Sequence, residues 1–117
     1  MAGVTCKSSV RLKGLTPSLL RILRGVYAVA ATCADVPDVV ITSINDSTHG
    51  PTSRHYTDEA VDLRVHNFPT DAARHRFAAA LRAELGPVFT VLYEAPGTPN
   101  AHMHVQPKKG TTYAGPL

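Results

Sequence analysis

Residues 59–65 read Glu59-Ala60-Val61-Asp62-Leu63-Arg64-Val65, and from Val61 onward apolar and polar side chains alternate. Successive side chains of an extended chain point to opposite faces, so the apolar residues share one face while Asp62 and Arg64 share the other. Alternation of this kind is typical of a strand with one buried face. The stretch therefore predicts a half-buried strand.

The same alternation returns near the end of the chain, in residues 101–106. Met103 and Val105 fall on one face of this second stretch, whereas His102 and His104 fall on the other. A strand presents alternate side chains to the same side, so the two imidazoles are expected to face one region together. One of them can bind a metal while the other points at a substrate.

Two helices and two more strands are predicted around these stretches. Thr16-Pro17 is typical of a helix start, and apolar side chains follow it at three- and four-residue steps. A second helix is predicted from Thr70 to Leu85, where Gly86-Pro87 ends it. The further strands are predicted at 39–42 and 88–94, which are rich in β-branched and aromatic residues.

The order of these elements indicates the α+β class, with a mainly antiparallel four-stranded sheet and two helices packed on it. A chain of 117 residues fits one domain. We place that domain at 1–106 and treat 107–117 as a C-terminal tail. Residues 1–14 hold a short strand or an arm. Residues 43–57 are a predicted loop, and loops of this length are usually functional or disordered.

Charge and cysteine content exclude several classes of protein. The net charge is +3 and the arginines are scattered, with Lys108-Lys109 the only adjacent basic pair. Nucleic-acid-binding proteins usually concentrate basic residues in a stripe, so we expect no nucleic-acid partner. Cys6 and Cys33 form no Cys-x-x-Cys motif, which excludes a zinc ribbon or a thioredoxin motif. The sequence leaves open whether the two cysteines pair.

Membrane and export signals are not evident in the sequence. Its longest apolar stretch, 19–34, is interrupted by Arg21 and Arg24, so no membrane span and no membrane partner are expected. The first residues lack the apolar core of a signal peptide. We therefore expect a protein that is made in the cytoplasm and that depends on another route for any action outside the cell.

Imidazole and carboxylate groups fall where predicted strands meet loops. His55, Asp62 and His104 together supply two imidazoles and one carboxylate. A catalytic zinc site typically takes three such ligands and keeps one position for water. Spacing alone leaves open the alternative that these are polar side chains satisfied by ordinary hydrogen bonds, since short motifs also match by chance.

The sequence around these residues adds a family resemblance. The segment 53–63, Ser53-Arg54-His55-Tyr56-Thr57-Asp58-Glu59-Ala60-Val61-Asp62-Leu63, resembles the S-x-H-Y-x-G-x-A-V-D-[IL] segment of zinc D-Ala-D-Ala carboxypeptidases and of their relative, the hedgehog signalling domain. Residues 91–94 followed by 101–105 resemble the second segment of that superfamily, a Y-E strand leading into A-H-x-H. The chain departs from the pattern at Asp58, where the family has glycine, and at Ala101, where several carboxypeptidases carry their catalytic acid.

The resemblance implies one zinc ion per chain, with His55, Asp62 and His104 as its ligands. It also implies that Glu94 is the general base that takes a proton from the attacking water. His102 is implied to stabilise the oxyanion that develops on the amide carbonyl. The interval between Glu94 and His102 is longer than in hedgehog-type domains, and a turn between the two strands can absorb the extra residues.

Three more side chains are candidates for contact with a substrate. The resemblance implies that His49 faces the substrate. Arg54 and Arg64 are candidates for binding a substrate carboxylate. The alternatives are a solvated loop histidine and ordinary exposed arginines.

Together these features predict a zinc-dependent metallopeptidase, a hydrolase that cleaves amide bonds in peptidoglycan stem peptides. D-Ala-D-Ala carboxypeptidase and L-Ala-D-Glu-type endopeptidase activities both remain open. Small members of this superfamily resemble endolysins, phage enzymes of cell wall degradation that are released by a holin or carried in the virion. We expect a monomer. The alternative function is a catalytically silent zinc-containing domain that binds a partner or builds a virion.

Overall fold

The computed structural model describes residues 3–10, 12, 14–33, 38–44, 59–111, 113 and 115–116. Within them the chain forms two helices and five strands. In chain order these are β1 (Val4–Cys6), α1 (Pro17–Thr32), β2 (Val39–Ser43), β3 (Val61–Arg64), α2 (Asp71–Leu85), β4 (Phe89–Glu94) and β5 (His102–Pro107). The α+β class and the single small domain are thus as predicted.

Both helices begin within one residue of the positions that the sequence predicts. The side chain of Thr16 accepts a hydrogen bond from the backbone N–H of Leu19 at 3.1 Å, and that of Thr70 accepts one from Ala73 at 3.0 Å. Each threonine thereby satisfies an N–H group that has no partner inside its helix. Gly86 follows α2 with a φ of 82°, a left-handed conformation that glycine adopts at little cost.

The sheet differs from the predicted four antiparallel strands. Its order is β1-β2-β3-β5-β4, and β1 pairs with β2 in parallel while the other neighbours are antiparallel. The prediction of a four-stranded sheet was therefore wrong by one strand. A parallel pair needs a long crossover connection, which α1 provides here. The additional strand, β1, is the short strand that was one of two options for residues 1–14, and its three residues are too few for side-chain alternation to assign it to the sheet.

One face of the sheet carries the hydrophobic core. Both helices contribute to it, and their buried side chains form one cluster with the apolar residues that alternate along the strands. The largest fully buried side chains include Phe77, Leu19 and Ile22 from the helices and Leu63 and Met103 from the strands. The two helices therefore pack on the same face, and the alternate side chains of β3, β4 and β5 point to the opposite one.

The C-terminal tail contacts the domain where the structure describes it. The ring of Tyr113 lies 5.3 Å from that of Phe89, measured between centroids, and its backbone N–H donates to the hydroxyl of Ser18 at 3.2 Å. Ser18 is fully buried at the start of α1. These contacts join the last residues of the chain to its first helix.

The structure also bears on the pairing of the two cysteines and on the expected lack of a membrane span. Cys6 and Cys33 are both free thiols. Among the helices that the structure describes, none combines the length and the apolar character needed to cross a membrane.

Candidate active site

Four of the predicted site residues lie on the face of the sheet opposite the helices. They form two rows, each made of side chains that are directly opposed on neighbouring strands. In the first row Asp62 of β3 lies opposite His104 of β5, which lies opposite Leu92 of β4. In the second row Arg64 lies opposite His102, which lies opposite Glu94. Directly opposed residues of antiparallel strands have Cβ atoms about 4.5–5.5 Å apart, so each row is a set of contacting side chains.

Asp62 and His104 form the more buried pair. The Nδ1 of His104 donates to Oδ1 of Asp62 at 2.8 Å, and its Nε2 donates to Oε1 of Gln106 at 2.6 Å. The His104 and Asp62 side chains are only 14% and 16% exposed. Both ring nitrogens therefore meet oxygen acceptors, an arrangement that suits the protonated imidazole.

The pKa of His104 is raised above its ordinary value. Burial disfavours the charged imidazole and alone would lower this pKa. The hydrogen bonds to Asp62 and Gln106, together with the negative charges of Asp62 and Glu94, outweigh the effect of burial. The surroundings of His104 thus favour its protonated form.

Glu94 and His102 form the more exposed pair. The Nε2 of His102 lies 3.1 Å from Oε1 of Glu94, and its Nδ1 donates to the backbone oxygen of Asn100 at 2.7 Å. Nδ1 is engaged by Asn100, so Nε2 is the ring nitrogen that faces the Glu94 carboxylate. The two side chains are 34% and 44% exposed, so a molecule lying on the sheet can reach this pair.

A short turn sets the position of this second pair. Residues 95–101 link β4 to β5, and Glu94 and His102 stay directly opposed across it. Ala95 and Gly97 have φ values of 51° and 78°, and the hydroxyl of Thr98 donates to the backbone oxygen of Ala95 at 2.7 Å. The residues between Glu94 and His102 are thus contained within the turn.

The described residues fit part of a zinc site. Asp62 and His104 offer an oxygen and a nitrogen donor, which are zinc ligands in catalytic sites, and they already touch. Gln106 holds the other ring nitrogen of His104, as hydrogen-bond partners of metal-binding histidines usually do. The third predicted ligand, His55, and the predicted substrate contacts His49 and Arg54 lie outside the described residues. Within those that are described, no group of three or more metal-binding side chains occurs.

Two residues of the site had no assigned role in the sequence. Gln106 lies two residues after His104 and therefore on the same face of β5, and only the structure shows that it holds Nε2 of that ring. Asn100 acts through its backbone oxygen, so its side chain gave no signal.

Comparison of the chain with protein-family models, with curated proteins and with solved structures finds no match.

Proposed function

We propose that this protein is a zinc-dependent peptidase that hydrolyses amide bonds in peptidoglycan stem peptides. The observation that carries the proposal is the presence of two adjoining imidazole–carboxylate pairs on one face of the sheet, Asp62–His104 and Glu94–His102. One pair is buried and suits a metal, and the other is open and suits proton transfer. The resemblance of their flanking segments to the zinc carboxypeptidases supplies the substrate class.

His55, Asp62 and His104 are the proposed zinc ligands. When bound at such a site, zinc lowers the pKa of water and polarises the carbonyl under attack. His104 must release the proton on its binding nitrogen before it can act as a ligand, so metal exchanges with that proton. Asp62 supplies negative charge and Gln106 fixes the orientation of the ring.

Glu94 is the proposed general base. Its carboxylate accepts the proton of the water that attacks the amide carbonyl and then delivers it to the departing amine. His102 reaches the same region, because its ring is fixed by Asn100 on one side and directed at Glu94 on the other. A protonated His102 places positive charge where the oxyanion develops.

His49 and Arg54 remain proposed substrate contacts, and Arg64 joins them through its position opposite His102. The choice between D-Ala-D-Ala carboxypeptidase and L-Ala-D-Glu-type endopeptidase remains open within this proposal. Release by a holin or delivery with a virion is the proposed route to the cell wall.

One observation favours the alternative of a catalytically silent zinc-containing domain. Glu94 is engaged by His102 at 3.1 Å, so the proposed base already has a partner. A peptidase must open this contact or use its proton, whereas a binding domain or virion component can keep it closed. Turnover by the zinc-loaded protein decides between the two.

The first prediction tests the role of Glu94. Zinc-loaded protein is incubated with purified muropeptides and the products are identified by mass spectrometry. Glu94→Gln preserves the shape of the side chain and cannot accept a proton, so we expect the cleavage rate to fall about 10²–10⁴-fold. Zinc content, measured on the same samples, should not change.

The matched control is Glu84→Gln, which removes a carboxylate that is paired with Arg21 on the helix side of the molecule. Its cleavage rate should stay near that of the wild type. Cleavage by Glu94→Gln at the wild-type rate would show that Glu94 is not the base. Wild-type protein that holds zinc and cleaves no muropeptide would favour the silent binding domain.

A further inference from the structure

A groove beside the proposed active site has no role in the mechanism proposed above. This open groove of about 580 Å³ runs along β4, between that strand and the end of α2. Its lining includes Thr90 and Leu92 from the strand, Arg82 from the helix and Lys108 from the chain that follows β5. The groove is partly apolar and carries two cationic side chains.

Two residues that line the groove are cross-strand neighbours of the candidate site. Leu92 is the cross-strand partner of His104, and Thr90 is the cross-strand partner of Gln106. Leu92 is 43% exposed, so its apolar side chain is open to a ligand. A peptide that lies across the two rows of the site therefore meets Leu92 as it passes toward the edge of the sheet.

The cations of the groove are available to a ligand. Arg82 donates from Nε and Nη2 to the backbone oxygen of Val91 at 3.1 and 2.9 Å, which fixes its guanidinium at the strand edge. Lys108 is exposed. Within the described part of the chain neither side chain forms an ion pair with a carboxylate. Two positive charges thus lie beside β4, which is one of the two edge strands of the described sheet.

We propose that this groove binds an acidic segment of an extended peptide, the part of the substrate that continues from the scissile bond. The inference rests on the proposed peptidase function, and it adds a charge preference to it. Carboxylates form their strongest hydrogen bonds with arginine and lysine, and an extended peptide fits beside an outermost strand. Leu92 supplies the apolar contact between the site and the charged end of the groove.

The test is a pair of probe peptides, acetyl-Ala-Glu-Ala-Glu-Ala-amide and its glutamine counterpart, titrated into the zinc-loaded full chain at low salt. Binding is followed by amide chemical shifts in two-dimensional NMR. We expect the acidic probe to shift the amides of Thr90, Leu92 and Lys108, and the neutral probe to bind more weakly. Lys108→Ala should weaken the affinity for the acidic probe about two- to fivefold, which is the contribution expected from one exposed ion pair.

Lys109→Ala is the matched control, because Lys109 is the adjacent exposed lysine and does not line the groove. Its affinity for the acidic probe should match that of the wild type. Equal losses in the two lysine variants, equal affinities for the two probes, or no shifts along β4 would each overturn the groove proposal.

The outcome is separable from that of the peptidase proposal. If the acidic probe binds in a manner that depends on Lys108 but the protein cleaves no muropeptide, the groove proposal stands and the peptidase proposal fails. If the protein cleaves muropeptides but no probe binds at β4, the peptidase proposal stands and the groove proposal fails.

Discussion

His104 has two roles in the proposed site, as a hydrogen-bond donor and as a proposed metal ligand. Without metal its ring donates to Asp62 and Gln106, and with metal the same side chain is a proposed ligand. The raised pKa of His104 shows that its surroundings favour the protonated ring, so zinc would have to displace a proton in order to bind. A single side chain thus links the hydrogen-bond network of the sheet to metal binding.

The second prediction concerns this side chain. His104→Ala removes one of the proposed ligands, so we expect zinc content to fall from about one ion per chain to a small fraction of that value. Elemental analysis of protein purified without chelator measures it. His75→Ala is the control, because His75 is 64% exposed on α2 and pairs with Asp71 away from the site. Loss of zinc in the control alone, or no zinc in the wild type, would contradict the proposal.

The hairpin of β4 and β5 is the element that sets the spacing of the open pair. Gly97 lies in its turn with a φ of 78°, a conformation that costs L-residues about 1–2 kcal/mol. As a third prediction, Gly97→Ala lowers the free energy of unfolding by about 1 kcal/mol, measured by urea denaturation. Gly14→Ala is the control, since an added Cβ at Gly14 meets nothing within 4 Å and its φ is not in the left-handed range. A stabilising effect of Gly97→Ala would show that the turn adopts another conformation.

Sequence reasoning and structure agree best where a pattern is local. Side-chain alternation placed Asp62 and His104 on polar faces, and Thr16 was predicted as the N-cap of α1, whereas Thr70 was predicted as the first residue of α2 and is its N-cap. The register that sets Asp62 opposite His104 depends on the pairing of strands about forty residues apart, which alternation does not determine. The short strand β1 was only one of two options for residues 1–14, and its parallel partner is set by the crossover through α1.

Taken as a whole, the molecule has a site in which two of the proposed ligands, Asp62 and His104, come from separate strands. Asp62 and His104 lie forty-two residues apart in the chain and meet only in the folded sheet. A ligand that binds the folded state and not the unfolded one stabilises the fold by mass action. Metal occupancy should therefore contribute to the stability of the entire domain.

The fourth prediction follows from this coupling. Addition of a chelator to zinc-loaded protein should lower Tm by several degrees. A loss of about 1 kcal/mol in the free energy of unfolding corresponds to a fall in Tm of roughly 4–8 °C in a domain of this size. In His104→Ala the chelator should have little effect. Differential scanning calorimetry measures both. An equal shift in the two proteins would indicate that zinc acts elsewhere on the chain.

The contact between Tyr113 and Ser18 has a consequence for synthesis of the chain. The backbone N–H of Tyr113 supplies a hydrogen bond to a fully buried hydroxyl on the first helix, ninety-five residues earlier. Translation delivers α1 well before its partner Tyr113. We therefore expect the hydroxyl of Ser18 to lack this hydrogen bond in a nascent chain until residue 113 has left the ribosome.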